Sequence, residues 1–345
     1  MVPSESSQPG LDVDRLAAYL AGHLPGGLAG QLTAERIVGG RSNLTYRVTD
    51  GASVWAVRRP PLGHVLPTAH DMGREHRVLA ALASTAVPVP QVLLHCAEES
   101  VLGAPFYVME YVDGVVLREP AQTADLSPAQ AAACGMALVE VLAALHAVVP
   151  AEVGLGGLGR PGYLARQVAR WHQQWERSRT RELPELEEVT ALLAAAVPES
   201  GPPGVVHGDY RLDNVMFDAG RRRIVAVLDW EMATVGDPLA DVGLLWVYTE
   251  LAHAGLGPAT PFRPDAGFPA PAALVAAYAG RRPGVRLDKL GWYVALGYYK
   301  LAVVSEGIHR RYLAGQTVGA GFEELGARVP ALVHRARQAL ATGPP

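Results

Sequence analysis

Short runs in which apolar and polar positions alternate with a period of two recur between about residues 35 and 111. Glu35-Arg36-Ile37-Val38 and Leu44-Thr45-Tyr46-Arg47-Val48 read as strands flanking Gly39-Gly40-Arg41-Ser42-Asn43. Asp50-Gly51 is a hairpin signal, and the next strand, Ser53 to Arg59, stops at Pro60-Pro61. Between Ala69 and Ser84 the period becomes helical, with Met72, His76, Leu79 and Leu82 on or near one face. Val87-Pro88-Val89-Pro90 is extended, and Gln91–His95 and Phe106–Tyr111 return to strands. Ahead of this block, Leu11 to Leu24 forms a short amphipathic helix, and residues 1–10 form a flexible polar tail.

Past Val112-Asp113-Gly114 the helical period dominates. Ser127 caps a helix running to about Val148, with Pro128 at its first position. Gly162–Arg179 and Pro184–Val197 follow as helices. Short strands at Val215–Phe217 and Ile224–Leu228 flank a turn at Asp218-Ala219-Gly220. Helices resume near Leu239 and continue to the C-terminus, interrupted by a Gly/Pro-rich stretch from Gly255 to Pro271. The expected architecture is α+β. A small antiparallel-sheet lobe with one key helix spans residues 11–112, and a large, mainly helical lobe spans 113–345.

Where that second lobe turns briefly to strands lies the densest chemistry in the chain. His207-Gly208-Asp209-Tyr210-Arg211-Leu212-Asp213-Asn214 reads H-x-D-x-x-x-x-N, and the apolar run Ile224–Leu228 ends on Asp229. Phosphoryl transfer asks for little else. One carboxylate orients a hydroxyl and takes its proton, and an amide and a second carboxylate hold the magnesium that carries ATP. Asp209 is the candidate base, and Asn214 and Asp229 are the candidate metal ligands, since magnesium takes hard oxygens and keeps several waters. A turn aspartate, a turn-stabilising amide and a helix cap are the plain alternatives for the three, and their joint spacing favours the chemistry. His207 is read as shaping the loop. Arg211 either meets phosphate or substrate, or pairs with Asp213 or Asp237.

The sheet lobe supplies candidates for the nucleotide. Backbone N–H groups of the glycine-rich turn, around Ser42 and Asn43, can cap phosphates, though such turns are common; no P-loop motif occurs. On the strand after it, alternation places Ala56 and Arg58 on one face, a small residue for adenine and a cation for the phosphates. Arg59 is expected to face outward. Glu75, on the following helix, would pair with Arg58, and the backbone at Glu110 and Tyr111 could hydrogen-bond adenine.

Composition trims the alternatives. The 345 residues are 49% apolar and 19% charged with a net charge of −4, an ordinary globular balance that suggests no nucleic-acid partner. Lysine occurs only at positions 289 and 300, so a phosphate-binding cation in the sheet lobe has to be arginine. Cys96 and Cys134 sit in apolar surroundings and read as buried thiols. The polar N-terminus and the lack of an uncharged membrane-length run lead to the expectation of a cytoplasmic protein with no membrane partner, either monomer or homodimer.

These residues resemble the aminoglycoside phosphotransferase-like family, within the protein-kinase-like fold. Val206 to Asn214, Val227-Leu228-Asp229-Trp230-Glu231 and Gly236-Asp237-Pro238-Leu239-Ala240-Asp241-Val242-Gly243 carry the resemblance, over roughly residues 30–320. Gly40-Arg41-Ser42-Asn43, Arg58-Arg59-Pro60-Pro61, Arg74 to Leu79, and Lys300-Leu301-Ala302 with Glu306-Gly307-Ile308 are more similar to phosphotransferase-like domains related to those found with acyl-CoA dehydrogenases. The resemblance implies ATP and Mg2+ as cofactors and a hydroxyl of a small molecule as acceptor, for which hydroxyacyl-CoA is one candidate. It also implies that Asp237 and Asp241 brace the catalytic loop, and that the chain departs from the family where Arg58 replaces a lysine. Trp246, Tyr248, Trp292, Tyr298, Tyr299 and Lys300 are candidates for the acceptor wall, against the plainer reading that aromatic residues at helical spacing are core. A nucleotide-binding pseudoenzyme and an antibiotic kinase remain as alternative functions.

Overall fold

A computed structural model describes residues 7–37, 43–62, 71–256, 266–316, 322 and 324–343. The turn from Gly39 to Ser42 lies outside the described residues. Two compact units divide the chain. One runs from the start of the described chain to Gly114 and takes in Val225–Ala233; the other holds Val115–Ile224 and the chain from Thr234 onward.

In the first unit β1 (Thr33–Arg36), β2 (Leu44–Thr49), β3 (Val54–Arg59), β4 (Val92–Cys96) and β5 (Phe106–Glu110) form an antiparallel sheet in the order β1-β2-β3-β5-β4. Asp50 shapes the β2–β3 hairpin by accepting from the backbone N–H groups of Ala52 (2.9 Å) and Ser53 (2.8 Å), and Gly51 takes a φ of +90° that a side chain would resist. On one face α1 (Val13–His23) seats Leu16 and Leu20 among Tyr46, Val48, Val57 and Val108. Strand alternation sends Arg58 and its cross-strand neighbours Thr45 and Tyr107 to the other face, where α2 (Met72–Leu82) begins at an Asp71 cap.

Two expectations are corrected here. Arg59 does not face solvent. It lies on the α1 side of the sheet, buried, and donates to the carbonyls of Gly10, Leu102 (2.7 Å) and Pro60 (3.2 Å). Residues 7–10, expected in the tail, belong to a small hairpin in which Ser7–Gln8 pairs with Leu11–Asp12, and the Pro9 carbonyl accepts from the Tyr46 hydroxyl. Residues 1–6 lie outside the described residues. Sequence order would also keep 225–233 with the helical lobe. Instead the Val227 N–H donates to the Pro88 carbonyl (2.8 Å), Arg74 donates to the Ala233 carbonyl, and the buried Trp230 donates to Val227 (3.0 Å), which holds this segment in the sheet unit.

Seven helices longer than two turns build the described part of the second unit. They are α3 (Pro128–Ala147), α4 (Tyr163–Ser178), α5 (Pro184–Ala195), α6 (Leu239–His253), α7 (Pro271–Arg281), α8 (Leu290–Leu313) and α9 (Leu325–Thr342). Ser127 and Gln130 form a capping box at the start of α3. That helix has the length and hydropathy to cross a membrane, yet half of its apolar window is buried in the protein and its Leu138 carbonyl accepts from the buried Tyr210 hydroxyl (3.0 Å), as in a core helix. Helices α6 and α8 pack where Gly243 meets Tyr293; a Cβ on Gly243 would lie 2.5 Å from the Tyr293 carbonyl carbon and oxygen. A short antiparallel pair, β6 (Gly204–Val206) with β8 (Thr234–Gly236), and strand β7 (Val215–Phe217) bracket the His207–Asn214 loop. The period-based reading missed the β6–β8 pair because three-residue strands are too short to show a period.

Candidate active site

Sequence-predicted residues fall into two sets, one in each unit. In the sheet unit Arg58 is the hub. Its Nε donates to Glu75 Oε2 at 2.9 Å, and its Nη2 donates to Asp229 Oδ1 at 2.5 Å. Glu75, 1% exposed, also accepts from Asn43 Nδ2 (3.0 Å) and the Tyr107 hydroxyl (3.0 Å). Burial pushes the Glu75 carboxyl up, and Arg58 and Tyr107 only partly offset this. Burial works against the Arg58 charge as well, but Glu75, Tyr107 and Asp229 outweigh it and hold the guanidinium protonated more firmly than usual. The fork of a guanidinium suits two carboxylates at once, which an ammonium on the same strand position would serve less well. Asp229 has left-handed backbone, φ +64° and ψ +60°, a conformation uncommon outside glycine and one that aspartate tolerates better than most. Asn43 also reaches Glu231 (3.4 Å), so the residue after the glycine-rich turn is tied both to α2 and to the Asp229 segment.

Ala56 is buried on β3 opposite Met109. The Glu110 N–H donates to the Gln91 carbonyl at 2.8 Å. Tyr111 lies just beyond β5, with the Arg47 guanidinium 5.5 Å from its ring centroid.

In the helical unit the His207–Asn214 loop is built around Asp209. Its Oδ1 accepts from the Tyr248 hydroxyl at 2.5 Å, and its Oδ2 accepts from Asn214 Nδ2 at 2.9 Å. The same Asn214 nitrogen donates to the Asp209 carbonyl (2.9 Å). These bonds turn the amide nitrogen toward Asp209 and the amide oxygen away from it. Asp209 keeps 23% side-chain exposure, enough for a reactant to reach it. Arg211 pairs with Asp213 (3.0 Å) and approaches Asp209 (3.5 Å), with its guanidinium 5.1 Å from the Tyr248 ring centroid. Of the alternatives open for Arg211, the pairing with Asp213 is present.

Behind the loop, Asp241 of α6 is fully buried. It accepts from the His207 N–H (2.7 Å) and the Gly208 N–H (2.8 Å), and His146 Nε2 lies 3.3 Å away. A carboxylate only accepts, so Nε2 carries a proton toward Asp241, and Nδ1 shares a hydrogen bond with the Tyr278 hydroxyl at 2.8 Å. Burial would raise the Asp241 carboxyl, but the His146 bond and the charges and N–H groups of the loop hold it below the ordinary range. Asp237 accepts from the Leu239 N–H (3.0 Å) and the Tyr293 hydroxyl (2.9 Å), a bracing role in the same helix start.

The six candidates for an acceptor wall separate. Trp246 donates to Glu250, Trp292 to the Leu193 carbonyl, Tyr298 lies against Arg335, and Tyr299 shares a bond with Thr190; all four are core. Tyr248 and Lys300 alone among them reach the His207–Asn214 loop, Lys300 by donating to the Gly208 carbonyl. His146, Trp171 and Tyr278, also near the loop, carry no sequence signal that singles them out.

The family model for the phosphotransferase enzyme family (APH) matches residues 33–282, which takes in both sets. The chain belongs to that family. Over 334 residues it is 35% identical to acyl-CoA dehydrogenase family member 11 of Gallus gallus, covering 94% of this chain and 43% of that protein. The chain thus spans about two fifths of the length of the curated relatives it matches. A solved structure from Ralstonia eutropha, provisionally classed as an aminoglycoside phosphotransferase, is 31% identical with a TM-score of 0.81, covering 96% of this chain and 98% of that one. A thermostable mutant of aminoglycoside phosphotransferase APH(4)-Ia, solved with ADP and hygromycin B, is 17% identical with a TM-score of 0.62 over 96% of this chain and 98% of that one, and shows the shared fold. The chain therefore has the protein-kinase-like fold expected from its motifs.

Proposed function

We propose that this phosphotransferase moves the γ-phosphate of ATP to a hydroxyl of a small metabolite, with Asp209 as the base. The observation that carries the reading is the state of Asp209. It is a partly exposed carboxylate, oriented by Asn214 and Tyr248, on a loop anchored from behind by Asp241. Such a group can align an acceptor hydroxyl and take its proton as the oxygen attacks phosphorus. Phosphoryl transfer gains mainly from positioning, so a rigidly held base is the part the protein must supply.

Asn214 and Asp229 fit magnesium by donor type: an amide oxygen turned away from Asp209, and a carboxylate. When bound there, the metal would offset the negative charge of the phosphoryl group being transferred. Arg58, held by Glu75, would meet the α/β-phosphates, and Asn43, Ser42, Ala56 and the backbone at Tyr111 complete the nucleotide side of the proposal. The acceptor class follows the relatives: this chain matches a segment of acyl-CoA dehydrogenase family members, which favours hydroxyacyl-CoA thioesters over aminoglycosides.

The test is a screen with MgATP against hydroxyacyl-CoA thioesters of different hydroxyl position, free hydroxy acids and aminoglycosides, following ADP and the phosphorylated product by mass. Magnesium-dependent transfer to a thioester is expected. Absence of transfer to every acceptor, or transfer to aminoglycosides alone, would sink the reading.

A further inference from the structure

Lys300 lies midway along α8, buried among apolar neighbours, and nothing in the phosphoryl-transfer chemistry above uses it. Its Nζ donates to the Gly208 carbonyl, 92 positions earlier in the chain. The ammonium also sits 5.5 Å from the centroid of the Trp171 ring on α4. Gly208 is held from its other side by Asp241, whose Oδ1 accepts the Gly208 N–H at 2.8 Å. Gly208 has a φ of +83°, which side chains rarely adopt, and the next residue is Asp209. One glycine is therefore gripped at its N–H by an anion on α6 and at its carbonyl by a cation on α8. Both grips are charge-assisted, the stronger class of hydrogen bond.

Keeping an ammonium in the interior is costly unless something offsets it. Burial does push the Lys300 amine down, with Asp209 and Asp241 pulling the other way. A core methionine of the same length would avoid that cost, and the cation-π contact with Trp171 is too weak alone to justify it. The carbonyl grip gives the lysine a task that an apolar side chain cannot perform.

We propose that Lys300 is a positioning residue: through the Gly208 carbonyl, and opposed by Asp241, it fixes the backbone that aims Asp209. The proposal rests on the reading of Asp209 as base, and its test separates the two. In full-length K300M and K300Q, amide exchange of the segment 205–212 is measured first, without ligand, beside that of α6 and α8. Loss of the charged bond should speed loop exchange in K300M about 10- to 100-fold while α6 and α8 stay as they are. K300Q, which keeps an N–H donor, should fall between K300M and the unaltered chain. With an acceptor that the unaltered chain phosphorylates, kcat should drop in the same order and KM for MgATP should stay within about twofold.

Loop exchange within twofold of the unaltered chain in both variants would overturn the proposal. So would a rise shared equally by α6 and α8, which would make Lys300 an ordinary core residue. So would a kcat that ignores the substitution. If K300M does not fold, K300Q carries the same measurements. If the unaltered chain shows no transfer at all, the base assignment of Asp209 fails, and the exchange result still decides whether Lys300 grips the loop.

Discussion

Removing Arg58 should cost far more than removing an ordinary surface cation. Arg58 is 12% exposed and joins Glu75, itself 1% exposed, at 2.9 Å and Asp229 at 2.5 Å. Arg58→Met leaves the Glu75 carboxylate buried with only neutral donors, Asn43 and Tyr107, each at 3.0 Å. Breaking a buried pair by removing one partner costs about 3–5 kcal/mol, and the two remaining donors place the expected loss near the low end, about 3 kcal/mol. A loss of that size should speed amide exchange of β3 and α2 roughly 10²-fold in dilute urea, where exchange follows the opening equilibrium. Glu75→Leu in the same background removes the stranded charge and should restore much of the protection, so the two substitutions are strongly non-additive. Arg58→Lys should lie between, because an ammonium serves one carboxylate at a time. The assay is exchange monitored by mass on peptides of the sheet unit, in the single and double variants. Arg58→Met within about 1 kcal/mol of the unaltered protein, or additive effects in the double variant, would refute the idea that this pair is a buried, mutually dependent unit.

Asp241→Asn should destabilise the helical unit by about 2–3 kcal/mol at neutral pH, because an amide keeps an acceptor for only one of the two loop N–H groups and loses the charge. The Asp241 carboxyl is held below its ordinary range, with His146, His207 and Lys300 facing it, so its contribution is fully present above that range and is lost as pH falls through the folded value. Urea unfolding should therefore show the gap between the variant and the unaltered chain closing below about pH 4. Gly243→Ala places a methyl 2.5 Å from the Tyr293 backbone and should force α6 and α8 apart; urea unfolding should register a loss of about 1–3 kcal/mol, and a neutral result would mean that the helices can separate freely.

Much of the fold was legible because strand alternation and helical period are local, and the change between them at Gly114 marks the step from sheet to helices. The candidate residues Asp209, Asn214 and Asp229 were legible because their chemistry fixes a spacing along the chain. What failed to show depends on distant pairing. Arg59 alternates correctly, but alternation alone does not tell whether the second face of a sheet meets water or, as here, α1 and the Gly10 turn. Aromatic residues on α6 and α8 look alike in sequence, and only packing separates Tyr248 on Asp209 from Trp246 on Glu250. The placing of 225–233 with the sheet unit rests on Pro88 and Arg74, more than a hundred residues earlier, and leaves no local trace.

Asp209 is proposed as the base of a magnesium-dependent phosphoryl transfer to a hydroxyl. Its most direct test compares the unaltered chain with Asp209→Asn, using MgATP and the best hydroxyacyl-CoA acceptor from the screen. The asparagine keeps shape and the acceptor for the Tyr248 hydroxyl, and loses the ability to take a proton. In Asp209→Asn kcat should fall at least about 10²-fold, with nucleotide affinity nearly unchanged. Transfer by Asp209→Asn at the rate of the unaltered chain would contradict it.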